Sequence, residues 1–405
     1  MAQPPHESTT AQPSDASPPD ASPSDAPPYG SAAGGHRRVP GLSRRGLIGA
    51  VCAAAAATAA APAVVAAAGR DHGSPATEAP TEQAARGTVE RAFPETRSGE
   101  PAAGTVAALA FPAGWVAARW DGPDEGGRVR FSTPEGDSDW APVPATCSSA
   151  NGGARLIAAD GATGYRVQPP TGARNLRTRA LDTTGGPRRR TRVPEEHPRL
   201  RSISYLSRAE WGADESKRFR PDGTEIMPPA FYPLQTITVH HTDTANNAAD
   251  PAAVVRAIYD FHAVDNGWGD IGYQFLVDEA GRIYEGRWSG GSGMPGHDAR
   301  GNMVTAAHVG GANSGNLGIA LLGNLTGRPP TEAARTAVTE LCAALARLHG
   351  LDPLARIRFV NPVDGSTREV QSISGHRDWM ATECPGAVMY GELAALRTRV
   401  AAARR

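Results

Sequence analysis

Lysine is nearly missing from this chain. Lys217 is the only one among 405 residues, so almost all positive charge is arginine. This reads as the codon bias of a GC-rich coding sequence and carries no functional weight. Net charge is also small, −1 from 41 basic and 42 acidic residues. A balance this near to neutral argues against bulk electrostatic attraction to nucleic acid or to an anionic membrane surface. Cysteine is scarce, with only Cys52, Cys147, Cys342 and Cys384. A secreted disulfide scaffold would carry more of them, closer together, in a shorter chain, so each thiol is read singly. What the chain does have is length and apolar content. At 40% hydrophobic residues it can bury real cores, and its length suggests two or three domains of about 100–200 residues each.

The first seventy residues read as an address rather than a fold. Residues 1–35 are rich in Pro, Ser, Asp and Ala and hold almost no large apolar groups. Such a segment cannot bury enough surface to offset ordering entropy, which predicts disorder. Ser43-Arg44-Arg45, then Gly46 and Leu47, resembles a twin-arginine export signal. The uncharged, Ala-rich run Gly46–Ala68 follows, and Ala66-Ala67-Ala68 before Gly69 reads as a small-residue cleavage site. An uncleaved membrane anchor is the alternative, disfavoured by the weak hydrophobicity of alanine. Cys52 lacks a good lipobox. The leader before the twin arginine is unusually long, and a translation start near Val39 is the expectation.

The organisation expected is a leader (1–42), a twin-arginine signal (43–68), a linker (69–103), a small β-sandwich-like domain (104–182), a second linker (183–203) and an α/β domain (204–405). In the middle region "WVAARW", "RVRFST", "ARLIAA" and "YRVQ" alternate with Gly, Pro and Asp turns, a pattern of short strands. Trp115, Trp120, Trp140 and Tyr165 could form a sugar platform, though core anchors are the commoner use of such aromatics. Cys147 is read as a lone thiol. The run Arg188–Arg192 reads as a solvated charge run rather than a polymer contact.

From Ser204 the signals sharpen. "LQTITVHHT" is an apolar strand ending in two histidines. Asp250-Pro251 is an N-cap and first-turn pair, and "AAVVRAIYDFHAV" continues as a helix. "IGYQFLVDEAGRIYEGR" reads as two strands around Ala280-Gly281, and "NLGIALLGN" as a buried strand. Pro330-Thr331 begins a helix in which Val338, Leu341, Leu345 and Leu348 repeat at helical spacing, with Cys342 on the apolar side as a packed thiol. A last helix covers roughly 386–403. The predicted fold class is α/β, a central mixed β-sheet flanked by helices and preceded by a small all-β domain.

Within this unit His240, His376 and Cys384 form a possible two-His, one-Cys zinc set. Zn2+ takes imidazole nitrogen and thiolate sulfur tetrahedrally, and three protein ligands leave a fourth position for water, the mark of a catalytic site. A His pair ending a strand is also often structural and a single Cys often core. The residues alone leave these readings open.

Six stretches occur in one order: "SRAEWGA", "VHHT", "DIGYQF", "YEGR", "NLGIALLGN" and "GHRDWMATECPG". This is the order of peptidoglycan recognition proteins and the related type 2 N-acetylmuramoyl-L-alanine amidases, which the chain resembles over about residues 204–400. The resemblance implies a zinc at one end of a substrate groove, with His240, His376 and Cys384 as metal ligands. Members that only bind their target have commonly lost the cysteine. It also implies Tyr273 as the catalytic tyrosine and Thr382 as a residue steadying the oxyanion. His262, Trp268, Arg287, His308 and Asn313 are implied to face substrate. The substrate implied is peptidoglycan, cleaved at the amide between N-acetylmuramic acid and L-alanine.

Around that set, period 2 turns His241 to the opposite strand face, as a structural residue. Arg377 and Asp378 are expected to pair locally. The general base is open, with Glu285 and Glu383 only speculative. The Gly-rich insertion "WSGGSGMPGHDARGNMVT" departs from the family pattern. His297 and Asp298 within it read as surface loop polarity rather than added ligands. The functional expectation is a secreted, cell-wall-associated zinc amidase, acting as a monomer, with no nucleic-acid partner and no stable membrane insertion after signal cleavage. The alternatives are a non-catalytic peptidoglycan-binding protein and an exported zinc peptidase of other specificity.

Overall fold

The computed structural model describes residues 87–100, 107–143, 152–291 and 293–404. The leader, the twin-arginine segment, Cys52 and Cys147 lie outside the described residues. Among the described residues no helix is long and apolar enough to cross a membrane.

The carboxy-terminal half is built on one mixed sheet. Its strands are β1 (Thr236–His241), β2 (Phe275–Val277), β3 (Ile283–Glu285), β4 (Asn316–Leu321) and β5 (Ile373–Gly375), in the order β3-β2-β4-β1-β5. Only β2–β3, the hairpin expected around Ala280-Gly281, is antiparallel; the other neighbours are parallel. All six residues of β1 and of β4 are buried, as strands covered on both faces must be.

Three helices flank the sheet: α1 (Pro251–Asp260), α2 (Glu332–Leu348) and α3 (Ala387–Ala403). The Asp250 carboxylate accepts from Ala253 N and caps α1, and Thr331 Oγ1 accepts from Ala334 N to cap α2. On α2 the stripe Val338, Leu341, Cys342 and Leu345 packs into the same core as Ile237, Val239, Leu317 and Ile319. Cys342 is therefore a core thiol, its pKa pushed up to about 12 by burial.

The amino-terminal half contains one antiparallel seven-stranded sheet, with long strands Ala107–Asp121 and Gly152–Gln168 at its centre. In the region expected to form a small sandwich, hydrogen bonding joins these described strands into that one sheet. The two long strands shift register between Ala108 and Trp115, the mark of a β-bulge. Period 2 then serves two cores. Val116, Ala118 and Trp120 pack within the module. Trp115 and Ala117, with Leu181, join a cluster containing Val254, Ile258 and Phe261 of the α/β half. Trp115, Trp120 and Tyr165 are buried, as core anchors rather than a platform. Two stretches read as linker are strands: Thr88–Pro94 pairs antiparallel with Arg188–Pro194, which carries the arginine run.

Candidate metal centre

The sheet register itself brings the two histidines together. On the adjacent parallel strands β1 and β5, Val239 lies opposite Gly375. The next residue on each chain is His240 and His376, at the carboxyl ends where open α/β sheets gather their ligands. Their ring centroids are 4.5 Å apart. After β5 a single 3-10 turn, His376–Asp378, reverses the chain. Arg377 N donates to Cys384 O at 3.0 Å, closing a loop that returns Cys384 to the same place. His240, His376 and Cys384 are all buried, and one ligand atom of each lies within 4.8 Å of the others.

The hydrogen bonds decide which nitrogens are free. Asn316 O can only accept, so His308 Nε2, 3.2 Å away, carries its proton. His308 Nδ1 is then the acceptor for His240 Nε2–H at 3.1 Å. The His240 lone pair is left on Nδ1, which lies 3.6 Å from Cys384 Sγ. His376 Nε2 donates to Met380 Sδ at 3.0 Å. Its Nδ1 is buried with no hydrogen-bond partner. An orphaned buried acceptor is costly, and a metal ion would satisfy it. Burial first, then His376 and His308, holds the His240 pKa well below its ordinary value. Burial, then His308 and His241, takes His376 to about 3. Both rings are therefore neutral, as metal ligands must be. Two imidazole Nδ1 atoms and one thiol sulfur are a donor set that fits zinc.

Tyr273 and His262 stand beside this pocket. The Tyr273 ring centroid is 5.2 Å from His240 and 5.6 Å from His262. Gly272 N donates to His262 Nδ1 at 3.1 Å, which places the proton of the neutral ring on Nε2. Burial lowers the His262 pKa to about 3. Half-buried Trp268 packs on His262 with centroids 4.8 Å apart. Thr382 Oγ1 accepts from Cys384 N at 3.2 Å, so its hydroxyl is held beside the cysteine and keeps its own proton to donate.

Three residues expected to face substrate are hydrogen-bonded within the protein. His308 is buried behind His240 as its hydrogen-bond partner. Asn313 Oδ1 accepts from His308 N and Val309 N at 2.8 and 2.7 Å, so it shapes the loop that carries His308. Arg287 is 1% exposed and its Nη1 donates to Asp270 Oδ2 at 3.0 Å. Asp270, wholly buried, also accepts from Arg208 Nη1, Ile271 N and Trp288 N. That fully satisfied carboxylate fixes the start of the segment bearing Tyr273.

Glu285 ends the edge strand β3, three strand spacings or about 14 Å from β1. Its carboxylate accepts from Arg208 N, and burial raises its pKa to about 7. Glu383 is exposed and lies 3.5 Å from Arg377. His241 is structural, its Nδ1 accepting from Leu325 N. Asp378 binds Gly375 N and Tyr390 Oη, both local. His297 is not surface polarity. It is fully buried, with Nδ1 2.7 Å from Pro295 O and Nε2 2.9 Å from His349 Nε2. Met380 was not singled out in sequence. Its signal is position, four residues after His376 across a tight turn.

The fold and the pocket together define an α/β protein with a candidate metal centre at the carboxyl ends of two adjacent parallel strands. The family described as N-acetylmuramoyl-L-alanine amidase matches residues 230–387. Peptidoglycan-recognition protein SC2 of Drosophila simulans is 30% identical over 195 residues, which cover 47% of this chain and 85% of that relative. The human N-acetylmuramoyl-L-alanine amidase is 31% identical over 204 residues, 49% of this chain but only 27% of that longer relative. Among solved structures, wild-type Drosophila peptidoglycan-recognition protein LB aligns over 47% of this chain and 92% of its own, at 26% identity and a TM-score of 0.35. The chain belongs to the peptidoglycan-recognition protein family.

Proposed function

We propose that this protein is a zinc-dependent N-acetylmuramoyl-L-alanine amidase that hydrolyses the amide between the lactyl group of N-acetylmuramic acid and L-alanine. The observation that carries the reading is the orphaned His376 Nδ1, buried beside His240 Nδ1 and Cys384 Sγ. A protein that only binds its target has no use for three converging donors and one unsatisfied lone pair.

His240 Nδ1, His376 Nδ1 and Cys384 Sγ would hold the ion. When bound, zinc supplies a Lewis acid for the carbonyl and a water acidic enough to attack at neutral pH. The chain's own groups do the rest. Tyr273, against His240, orients the attacking water or donates to the developing oxyanion. The Thr382 hydroxyl donates a second hydrogen bond there, where charge appears only in the transition state. His262 presents a neutral Nε2–H donor to the substrate, with Trp268 as an apolar wall beside it. The protein acts on peptidoglycan outside the cytoplasm, after twin-arginine export read from the leader sequence.

Purified protein incubated with peptidoglycan should release fragments bearing a free amino-terminal L-alanine, and a chelator should stop the release. Cys384→Ala should abolish it. Full activity in that variant would refute the zinc assignment.

A further inference from the structure

The amino-terminal sheet reaches the groove wall through two arginines, Arg179 and Arg119. Helix α1 runs without a break into a single π turn, Phe261–Asp265. A π turn is a costly local widening of a helix, and such turns gather at functional sites. This one carries His262. Its carbonyls also hold the next loop, with Trp268 N donating to His262 O and Gly269 N to Ala263 O, both at 3.1 Å. The positions of His262 and Trp268 therefore depend on the turn keeping its shape.

Two carboxylates bracket the turn, Asp260 before it and Asp265 at its end. Arg179, on strand Arg174–Asp182 of the amino-terminal sheet, binds both. Its Nε donates to Asp265 Oδ1 at 3.1 Å and its Nη2 to Asp260 Oδ1 at 2.5 Å. Arg119, on the neighbouring strand, donates to the Asp265 carbonyl, and Lys217 pairs with Asp260. The contacts are well covered, with side-chain exposures of 11% for Arg179, 2% for Asp260 and 14% for Asp265. A planar guanidinium can span two carboxylates, whereas a lysine ammonium is a single point of charge. Beside this bridge, Trp115, Ala117 and Leu181 share a core with Phe261 and Ala263.

We propose that Arg179 is a positioning residue, and that the amino-terminal sheet is a brace for the groove wall formed by His262 and Trp268. The sheet then acts through the π turn rather than as a separate wall-binding module. This rests on the amidase reading for what the wall contacts, but not for the brace itself.

The test uses the full chain with zinc bound and two readouts. In Arg179→Ala, amide hydrogen exchange across residues 261–272 should quicken several-fold, while residues 373–386 stay protected. The KM for a muropeptide should rise several-fold with kcat changed much less, and zinc content should be unaffected. Arg179→Lys should restore only part of both effects. Should Arg179→Ala fail to fold, Asp265→Asn, which keeps the shape and drops the charge, is read the same way. Unchanged exchange in 261–272, or faster exchange with an unchanged KM, overturns the proposal. A wild-type protein that protects 261–272 yet releases no L-alanine overturns the amidase reading instead, and exchange in the variant then decides the brace alone.

Discussion

Replacing His308 by alanine gives the sharpest test of how the metal pocket is set. In the native arrangement Asn316 O accepts from His308 Nε2, and His308 Nδ1 accepts from His240 Nε2–H. Alanine removes the middle of that relay. The His240 ring then loses the bond that fixes its tautomer and its orientation toward Cys384 Sγ, 3.6 Å away. Outer partners of metal-bound imidazoles are worth about 10–100-fold in metal affinity, or about 1.4–2.7 kcal/mol. The ring also packs on β4 at Gly318, where an added Cβ would stand only 2.6 Å from His308 Cγ. Part of any loss of stability will therefore be packing. Affinity separates the two effects. Zinc binding measured by competition with a fluorescent chelator should weaken by about one to two orders of magnitude. His308→Gln, whose amide oxygen can still accept, should recover part of it. An affinity in His308→Ala within about twofold of wild type would refute the relay, because losing the tautomer lock must cost more than that.

Two further outcomes follow from the same network and from the loop beyond it. Met380→Leu removes the acceptor of His376 Nε2–H while keeping apolar bulk, so zinc affinity should fall by less than in His308→Ala and folding should be little affected. Calorimetric zinc titration checks this, and a loss larger than in His308→Ala would count against it. The His297–His349 contact should make stability pH-dependent. Burial and the neighbouring His297 lower His349 to about 4, and burial lowers His297 against the opposing pull of Pro295 O and Asp298. A depressed imidazole pKa means the unfolded chain takes up protons first. The contribution is therefore complete above the unfolded value of about 6.5 and is lost as pH falls toward about 4. Thermal unfolding followed from pH 7.5 to 4 should show the midpoint dropping over that window, with a shallower drop in His349→Gln.

How much of this was legible in the sequence depended on the range of the signal. The caps Asp250 and Thr331, the α2 stripe and the β2–β3 hairpin are local patterns, and each stands where its sequence put it. His240, His376 and Cys384 meet across 144 residues. That meeting could be read only through resemblance, since no spacing encodes the Val239–Gly375 register that aligns them. Three residues that the resemblance assigns to substrate share a feature. His308, Asn313 and Arg287 are polar groups near a groove, and motif reading assigns such groups to substrate. In the fold each bonds to another protein atom, as most buried donors and acceptors do.

The amino-terminal half shows a second limit. Period 2 identifies which residues share a face of a strand, but not what that face meets. Trp115 and Ala117 alternate with Val116 and Ala118 in the same way whether the module is free or packed on a neighbour. The sequence pattern was therefore compatible with a tethered sandwich joined by linkers. Two facts outside the pattern argue otherwise. The supposed linker strand Arg188–Pro194 pairs over seven residues with Thr88–Pro94, and Arg179 spends its charge on two aspartates of the α/β half. Removing one partner of a covered ion pair strands the other, so such contacts are specific to the partner they meet. These contacts direct the question of the module's role to the wall it touches.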